Sequence, residues 1–400
     1  MGRLQTWTAA VRRSPLRGLA VVVVAGALAA TGLLLATRPG QPPSPRVSTR
    51  AVALGDSVPY GHGLANPYLT PRPGLPADAV SQAPASEAYP SLVAHALGLT
   101  MTIRPSNCEL TGDQLAISGA VTNPADDTNR DSQCPVPPQQ ARSLSTELAH
   151  ADLSQHPARL VLLQAGADDI DFGNCLEYEL ARVLGAGIGL GTQCVSNGSV
   201  TPAVAAKLDR ARTSLSDAIE SMAPNAGTIA VLNYYQPIPP PADIADDSGL
   251  SRLGVNLVCT GLRANAAATY AAAETVSAAV NHAVEGAVAD ARARGVHNVQ
   301  RIDVSGVGAG HGICTPDPYF FSGEPLADAT LASDVARIAA ARACNVSGVL
   351  SGSAPCESVR AQAARAEDQL RDHVWRAAHP TVMGQRVLAT AVEGQLHLAS

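Results

Sequence analysis

Ala51-Val52-Ala53-Leu54-Gly55-Asp56-Ser57-Val58-Pro59-Tyr60-Gly61 is the stretch around which the rest of the chain can be ordered. An apolar run without polar alternation reads as a buried strand of a parallel sheet. Gly55 permits a sharp turn at its end. Ser57 then stands at the carboxyl end of a strand, where open α/β sheets hold their ligands. A serine there is a candidate nucleophile if a base can reach its hydroxyl. Gly-Asp-Ser is also a common turn, so the weight falls on what the rest of the chain supplies.

Working outward, Ser86 to Gly98 has apolar residues at helical spacing and a glycine at its end. Leu99 to Ile103 reads as a second strand and Gln139 to Ser154 as a helix. Arg159 to Gln164 is a further buried strand, running into Ala165-Gly166-Ala167-Asp168-Asp169-Ile170-Asp171-Phe172. Val200 to Met222 reads as helix, Thr228 to Asn233 as strand, Ala264 to Arg294 as a long Ala-rich helix and Val299 to Val304 as a fifth strand. Helices are expected over 330–343, 361–375 and 381–398. Strands alternating with helices imply one α/β domain with a central parallel sheet of about five strands and elaborated loops.

The 400 residues are 46% hydrophobic but only 3% aromatic, so Ala, Val and Leu must fill the core. The net charge is −6 with signs interspersed. No basic stripe points to nucleic acid. Arg3, Arg12, Arg13 and Arg17 precede an apolar run from Gly18 to Ala36, close to the ~20 residues that span a bilayer. Residues 1–37 are therefore read as a signal or anchor segment, 38–50 as a Pro- and Ser-rich linker and 51–400 as the folded domain. The positive flank would stay in the cytoplasm and the body would be exported to the cell surface or beyond. All eight cysteines lie in that body, which suggests disulfides. Sequence permits 105 pairings; nearest-neighbour pairing gives Cys108–Cys134, Cys175–Cys194, Cys259–Cys314 and Cys344–Cys356. No Cys-x-x-Cys suggests zinc, and no oligomerisation motif is evident, so a monomer is expected.

Three places could carry chemistry: Ser57, the acidic turn at Asp168-Asp169, and His379 in Ala378-His379-Pro380-Thr381-Val382-Met383-Gly384-Gln385. A serine needs a base, and histidine is the usual one near neutral pH. Pro380 suits the first position of a helix and would present His379 just ahead of it. Asp169 is expected to make structural hydrogen bonds within its turn and His311 to be structural. Tyr234-Tyr235 could wall a pocket or simply pack, and His62 could line the site or lie at the surface. Asn197-Gly198-Ser199 and Asn345-Val346-Ser347 fit the glycosylation pattern, a signal too short to imply the modification by itself.

Together the three blocks resemble the SGNH, or GDSL, hydrolase family, particularly its secreted actinobacterial lipases and esterases. The resemblance covers most of 50–395. It rests on Leu54 to Ser57, on Gly166 to Phe172, and on His379-Pro380 to Gly384-Gln385, with Tyr89-Pro90, Cys108 and Gly310-His311-Gly312-Ile313-Cys314 as lesser matches. It implies a three-layer flavodoxin-like fold and hydrolysis of small-molecule or lipid carboxylic esters, with no metal or cofactor. Ser57 would be the nucleophile, His379 the base, and the Ser57 N–H one oxyanion donor. Gly112 would be the second donor, with Gly119 the competing alignment. The third is normally an Asn amide, and here that position holds Asp168. An ionised Asp only accepts hydrogen bonds. The acid that usually orients the histidine is replaced by Arg376, so its backbone carbonyl is expected to take that role, with Asp372 a weaker candidate. Alternatives are a deacetylase or acyltransferase of cell-envelope sugars on the same fold, or a degenerate binding protein.

Overall fold

The structure, a computed structural model, describes residues 48–62, 64, 86–103, 112–116, 120–123, 143–183, 192–245, 257–321 and 378–398, with 358, 361 and 362. β1 (Ala51–Gly55) is buried at every position. A one-turn helix α1 (Ser57–Tyr60) follows, then α2 (Tyr89–Ala96), α3 (Leu144–Ala151) and β2 (Ala158–Gln164). A 3₁₀ turn at Asp168–Ile170 leads into α4 (Phe172–Val183). A short hairpin of β3 (Val195–Ser196) and β4 (Ser199–Val200) precedes α5 (Pro202–Met222) and β5 (Ala226–Leu232). The chain continues through α6 (Leu257–Ala264), α7 (Ala266–Ala293), β6 (Val299–Ile302) and α8 (Val382–Gln395).

β1, β2, β5 and β6 form a four-stranded sheet in that order, every pairing parallel. Central parallel strands are covered on both faces. That is why Leu160, Val161, Leu162 and Leu163 form an unbroken apolar run, all fully buried. Helices flank the sheet. α7 turns Val276, Val280, Val284 and Val288 inward with alanines between them, the 3.6-residue period of a helix with one buried face. It is joined to α5 by a two-pronged contact: Arg212 Nε and a terminal nitrogen donate to Asp290 at 2.7 and 2.8 Å. Gly286 leaves room for that guanidinium, since a Cβ there would lie 2.7 Å from Arg212 Nε.

The expected strand at Leu99 to Ile103 does not form. Only Thr100 bridges to Arg50 on the outer side of β1, and a second bridge joins Ala53 to Gln114. The reason is local. Asp113 takes the Thr102 N–H with its side chain (2.8 Å) and gives its own N–H to the Thr102 carbonyl (2.8 Å), so the chain leaves the ladder there. Residues 113–115 then complete the edge, with Ala53 N–H on the Asp113 carbonyl (2.9 Å) and Leu115 N–H on the Ala53 carbonyl (2.9 Å).

Two expected disulfides are present, Cys175–Cys194 and Cys259–Cys314. They point to an oxidising compartment. The pairs Cys108–Cys134 and Cys344–Cys356 fall outside the described residues, as do the leader and the helices expected over 330–343 and most of 361–375. Among the described residues no helix is long and apolar enough to cross a membrane; Gly18 to Ala36 lies outside them.

Candidate active site

The turn after β1 is built by its neighbours. Gly55 has φ +123°, and a Cβ there would lie 1.9 Å from the Gln164 carbonyl oxygen of β2, so only glycine fits. Its N–H donates to buried Glu147 of α3 at 2.6 Å. Asp56 caps α1 by accepting the Val58 N–H at 3.1 Å. The Ser57 N–H, first in the helix, needs no acceptor within the turn. Gly61, at φ 81°, ends the helix after one turn, donating to the Ser57 and Val58 carbonyls.

Asp56 is 1% exposed. Its second oxygen accepts a short hydrogen bond from the Tyr234 hydroxyl. Burial pushes this carboxyl from 3.8 up to about 7, opposed by the hydrogen bonds from Tyr234 and Val58 and reinforced by Asp169. Burial also holds the hydroxyls of Tyr89, Tyr234 and Tyr235 well above their usual range, with the charge of Asp56 adding to it.

His379 reaches Ser57 from the far end of the chain. Its Nε2 lies 2.8 Å from Ser57 Oγ, across 322 residues of sequence. Its segment pairs antiparallel with 319–321: Phe321 N–H donates to the His379 carbonyl (2.9 Å) and Ala378 N–H to the Phe321 carbonyl (3.0 Å). Ala378 is held at φ 69°, a left-handed conformation that costs an L-residue roughly 1–2 kcal/mol. The Tyr235 hydroxyl donates to the Ala378 carbonyl at 3.2 Å, and its ring stacks on Phe320 at 4.3 Å. Pro380 is not the first helical residue. Thr381 caps α8, accepting the Gly384 N–H at 3.2 Å, while Pro380 bridges to Phe320. Proline has no N–H to give, so a pairing that uses its neighbours' groups accommodates it.

Two more residues stand beside this pair, and of these Gln385 has no role of its own in the sequence reading. Gln385 is fully buried. Its Oε1 accepts from Tyr89 N–H (2.8 Å) and its Nε2 donates to the Val58 carbonyl (3.2 Å), so α8, α2 and α1 meet on one amide. His62, 8% exposed, holds its ring 4.5 Å from that of His379. The sequence marked His62 as a possible lining residue; its donor N–H to the Ser57 carbonyl (3.0 Å) is what brings it there.

Gly55 of β1 is in register with Gln164 of β2. Asp168 follows Gln164 by one short turn, at the same carboxyl edge of the sheet as Ser57. That turn is held twice. Tyr234 accepts the Ala167 N–H at 3.3 Å. Fully buried Asp169 accepts from Thr122 N–H (3.0 Å), Thr122 Oγ1 (2.8 Å) and Asn123 N–H (3.3 Å), a structural role as expected, but one that reaches the 122–123 segment where the expectation placed it within the turn.

Gly112 is not part of this assembly. Because Gln114 pairs parallel with Ala53, Gly112 runs beside the amino half of β1, where Asp113 meets Arg50. That sets it level with Ala51, four residues or about 13 Å at ~3.3 Å per residue short of Gly55, where the strand ends before Ser57. Its own need for glycine is local: φ is +93°, and a Cβ would lie 2.7 Å from the Thr102 carbonyl. The competing Gly119, and Arg376, lie outside the described residues. His311 is engaged structurally, its ring stacked on Tyr319 at 3.9 Å and Nδ1 2.8 Å from the Asp317 carbonyl. Among the described residues no cluster of three or more His, Cys, Asp or Glu could hold a metal.

The arrangement suits proton transfer: an imidazole nitrogen in hydrogen-bond reach of a serine hydroxyl at the carboxyl edge of a parallel sheet. The chain is thus an α/β protein carrying a serine–histidine pair. No family model and no curated protein matches it.

Proposed function

We propose that this chain is an exported serine hydrolase of carboxylic esters, an esterase or lipase of the SGNH type on a three-layer flavodoxin-like fold. The observation that carries the reading is the 2.8 Å approach of His379 Nε2 to Ser57 Oγ. His379 takes the hydroxyl proton as Ser57 attacks the ester carbonyl. The alkoxide leaving group receives that proton, an acyl-enzyme remains, and water activated by the same histidine releases the acid. The Ser57 N–H faces the developing oxyanion. Asp168 supplies an amide-like donor only in its protonated form, so its presence where the SGNH pattern has Asn favours turnover on the acid side of neutrality. Orientation of His379 falls to a backbone carbonyl, that of Arg376, in place of an acid. The N-terminal segment delivers the domain to the cell surface or beyond.

The test is activity-based labelling of the exported protein with a fluorophosphonate, beside p-nitrophenyl ester hydrolysis. Wild type should label and turn over, and Ser57→Ala should do neither while keeping its thermal transition. Undiminished hydrolysis by Ser57→Ala refutes the nucleophile. Absence of labelling in folded wild type favours a binding protein, and preference for acetylated sugars over simple esters favours the deacetylase.

A further inference from the structure

We propose that Tyr234 is a positioning residue of this esterase: its hydroxyl sets the spacing between the turn that carries Ser57 and the turn that carries Asp168. The inference rests on the ester-hydrolase reading of the same site.

A single oxygen serves both turns. It donates to Asp56, the cap of the helix that begins at Ser57, and accepts the N–H of Ala167, the residue before Asp168. The two turns sit on adjacent strands; past the backbone bond from Asp56 N–H to the Gln164 carbonyl (3.0 Å), Tyr234 is a side-chain contact that spans them. Tyr234 is itself clamped from outside the site. Asn281, midway along α7, accepts the Tyr234 N–H at 2.7 Å and donates to its carbonyl at 2.8 Å. The hydroxyl therefore has a fixed origin, on the end of β5, from which to hold the two other strand ends. It also remains a donor at neutral pH, since burial and the neighbouring Asp56 keep its pKa well above the usual tyrosine range.

A spacer of this kind acts on the transition state more than on substrate binding. Ground-state contacts with the ester do not pass through Tyr234, whereas the oxyanion must meet donors from both turns at once. Small misplacements of such groups cost on the order of 10²-fold in rate. Tyr234→Phe removes one oxygen, leaving the Ala167 N–H without its acceptor and Asp56 without its tyrosine donor.

The experiment uses the full exported protein, with active sites counted by fluorophosphonate so that unfolded molecules do not enter the rate. Tyr234→Phe should lower kcat per labelled site roughly 10-fold or more while KM stays within about twofold. Asn281→Ala, which leaves every side chain of the pocket in place, should move kcat in the same direction by less, and it carries the test if Tyr234→Phe does not fold. A purely structural tyrosine would instead lower thermal stability and the labelled fraction with kcat per labelled site unchanged in both variants, and that result overturns the assignment. Wild type that neither labels nor hydrolyses overturns the esterase reading and this one with it, so the two failures are told apart by wild type alone.

Discussion

Asp56 occupies three relationships at once: it caps α1, receives the hydroxyl of Tyr234, and shares its surroundings with the buried carboxyl of Asp169. A carboxylate in such a place carries a stability cost that depends on pH. Its pKa is about 7 in the folded protein against 3.8 for the free group, chiefly through burial. Between those values the native state holds a proton that the unfolded chain has released, so Asp56 makes stability fall as pH rises from about 4 to 7, by an amount on the order of a few kcal/mol. Below and above that window its contribution is flat. Asp56→Asn keeps an oxygen for the Val58 N–H but cannot ionise. Urea unfolding at pH 5 and at pH 7.5 should therefore show wild type losing stability across the interval and the variant losing markedly less. Equal slopes in the two proteins would show that Asp56 is not the group that titrates.

Among the elements, α8 and the strand-like segment before it do most to bring the distant half of the site to Ser57. Gln385 joins α8 to α2 and α1 with both atoms of its amide, deep in the core. Gln385→Met fills the space but leaves the Tyr89 N–H without its acceptor and the Val58 carbonyl with the Gly61 N–H as its remaining donor. A buried orphan costs about 1–3 kcal/mol, so a loss of roughly 1–3 kcal/mol in chemical denaturation is expected, together with slower labelling of Ser57. Full stability in that variant would show that water replaces the amide. What could be read from sequence divides along the same line. β1, β2 and β5 were legible as apolar runs, and Ser57 and His379 as residues set at turns. Asn197-Gly198 reads in sequence as part of a glycosylation pattern, and in the structure its two left-handed residues (φ 52° and 75°) form the tight turn that Asn-Gly favours between strands. α4 has no counterpart in the sequence reading, although Phe172, Cys175, Leu176, Leu180 and Val183 recur at helical spacing. Gly112, which the resemblance implies as a donor, lies toward the amino end of β1, because a motif match does not reveal how far along its neighbour a segment pairs. Tyr234 to Asp56 and Gln385 to Val58 join residues 178 and 327 apart, and no local pattern encodes such pairings.

At the scale of the whole chain, the two disulfides close loops of 19 and 55 residues, which chain entropy values at roughly 3 and 4 kcal/mol. By stability alone they are nearly equivalent; by position they are not. Cys175–Cys194 joins α4 to the hairpin and lines a small apolar cavity with Phe172, Thr269 and Val276. Cys259–Cys314 anchors the loop beneath the histidine. From Cys314 the loop is held by Ile313 N–H on the Pro237 carbonyl (2.9 Å). His311 then stacks on Tyr319 and takes its N–H at the backbone carbonyl (2.8 Å). The Tyr319 carbonyl in turn accepts Thr381 N–H (2.8 Å) and Oγ1 (3.0 Å), two residues beyond His379. Removing this bridge should loosen the base as well as the fold. The double variant Cys259→Ser/Cys314→Ser is expected to lose several-fold in ester turnover per labelled site, whereas Cys175→Ser/Cys194→Ser should lose comparable stability with a smaller change in turnover. Thermal unfolding and site-normalised hydrolysis of both, measured well below their transitions, decide the matter: equal losses of turnover would mean that the 311–319 loop does not support His379, and that the antiparallel pairing with 319–321 holds the imidazole without help from the disulfide.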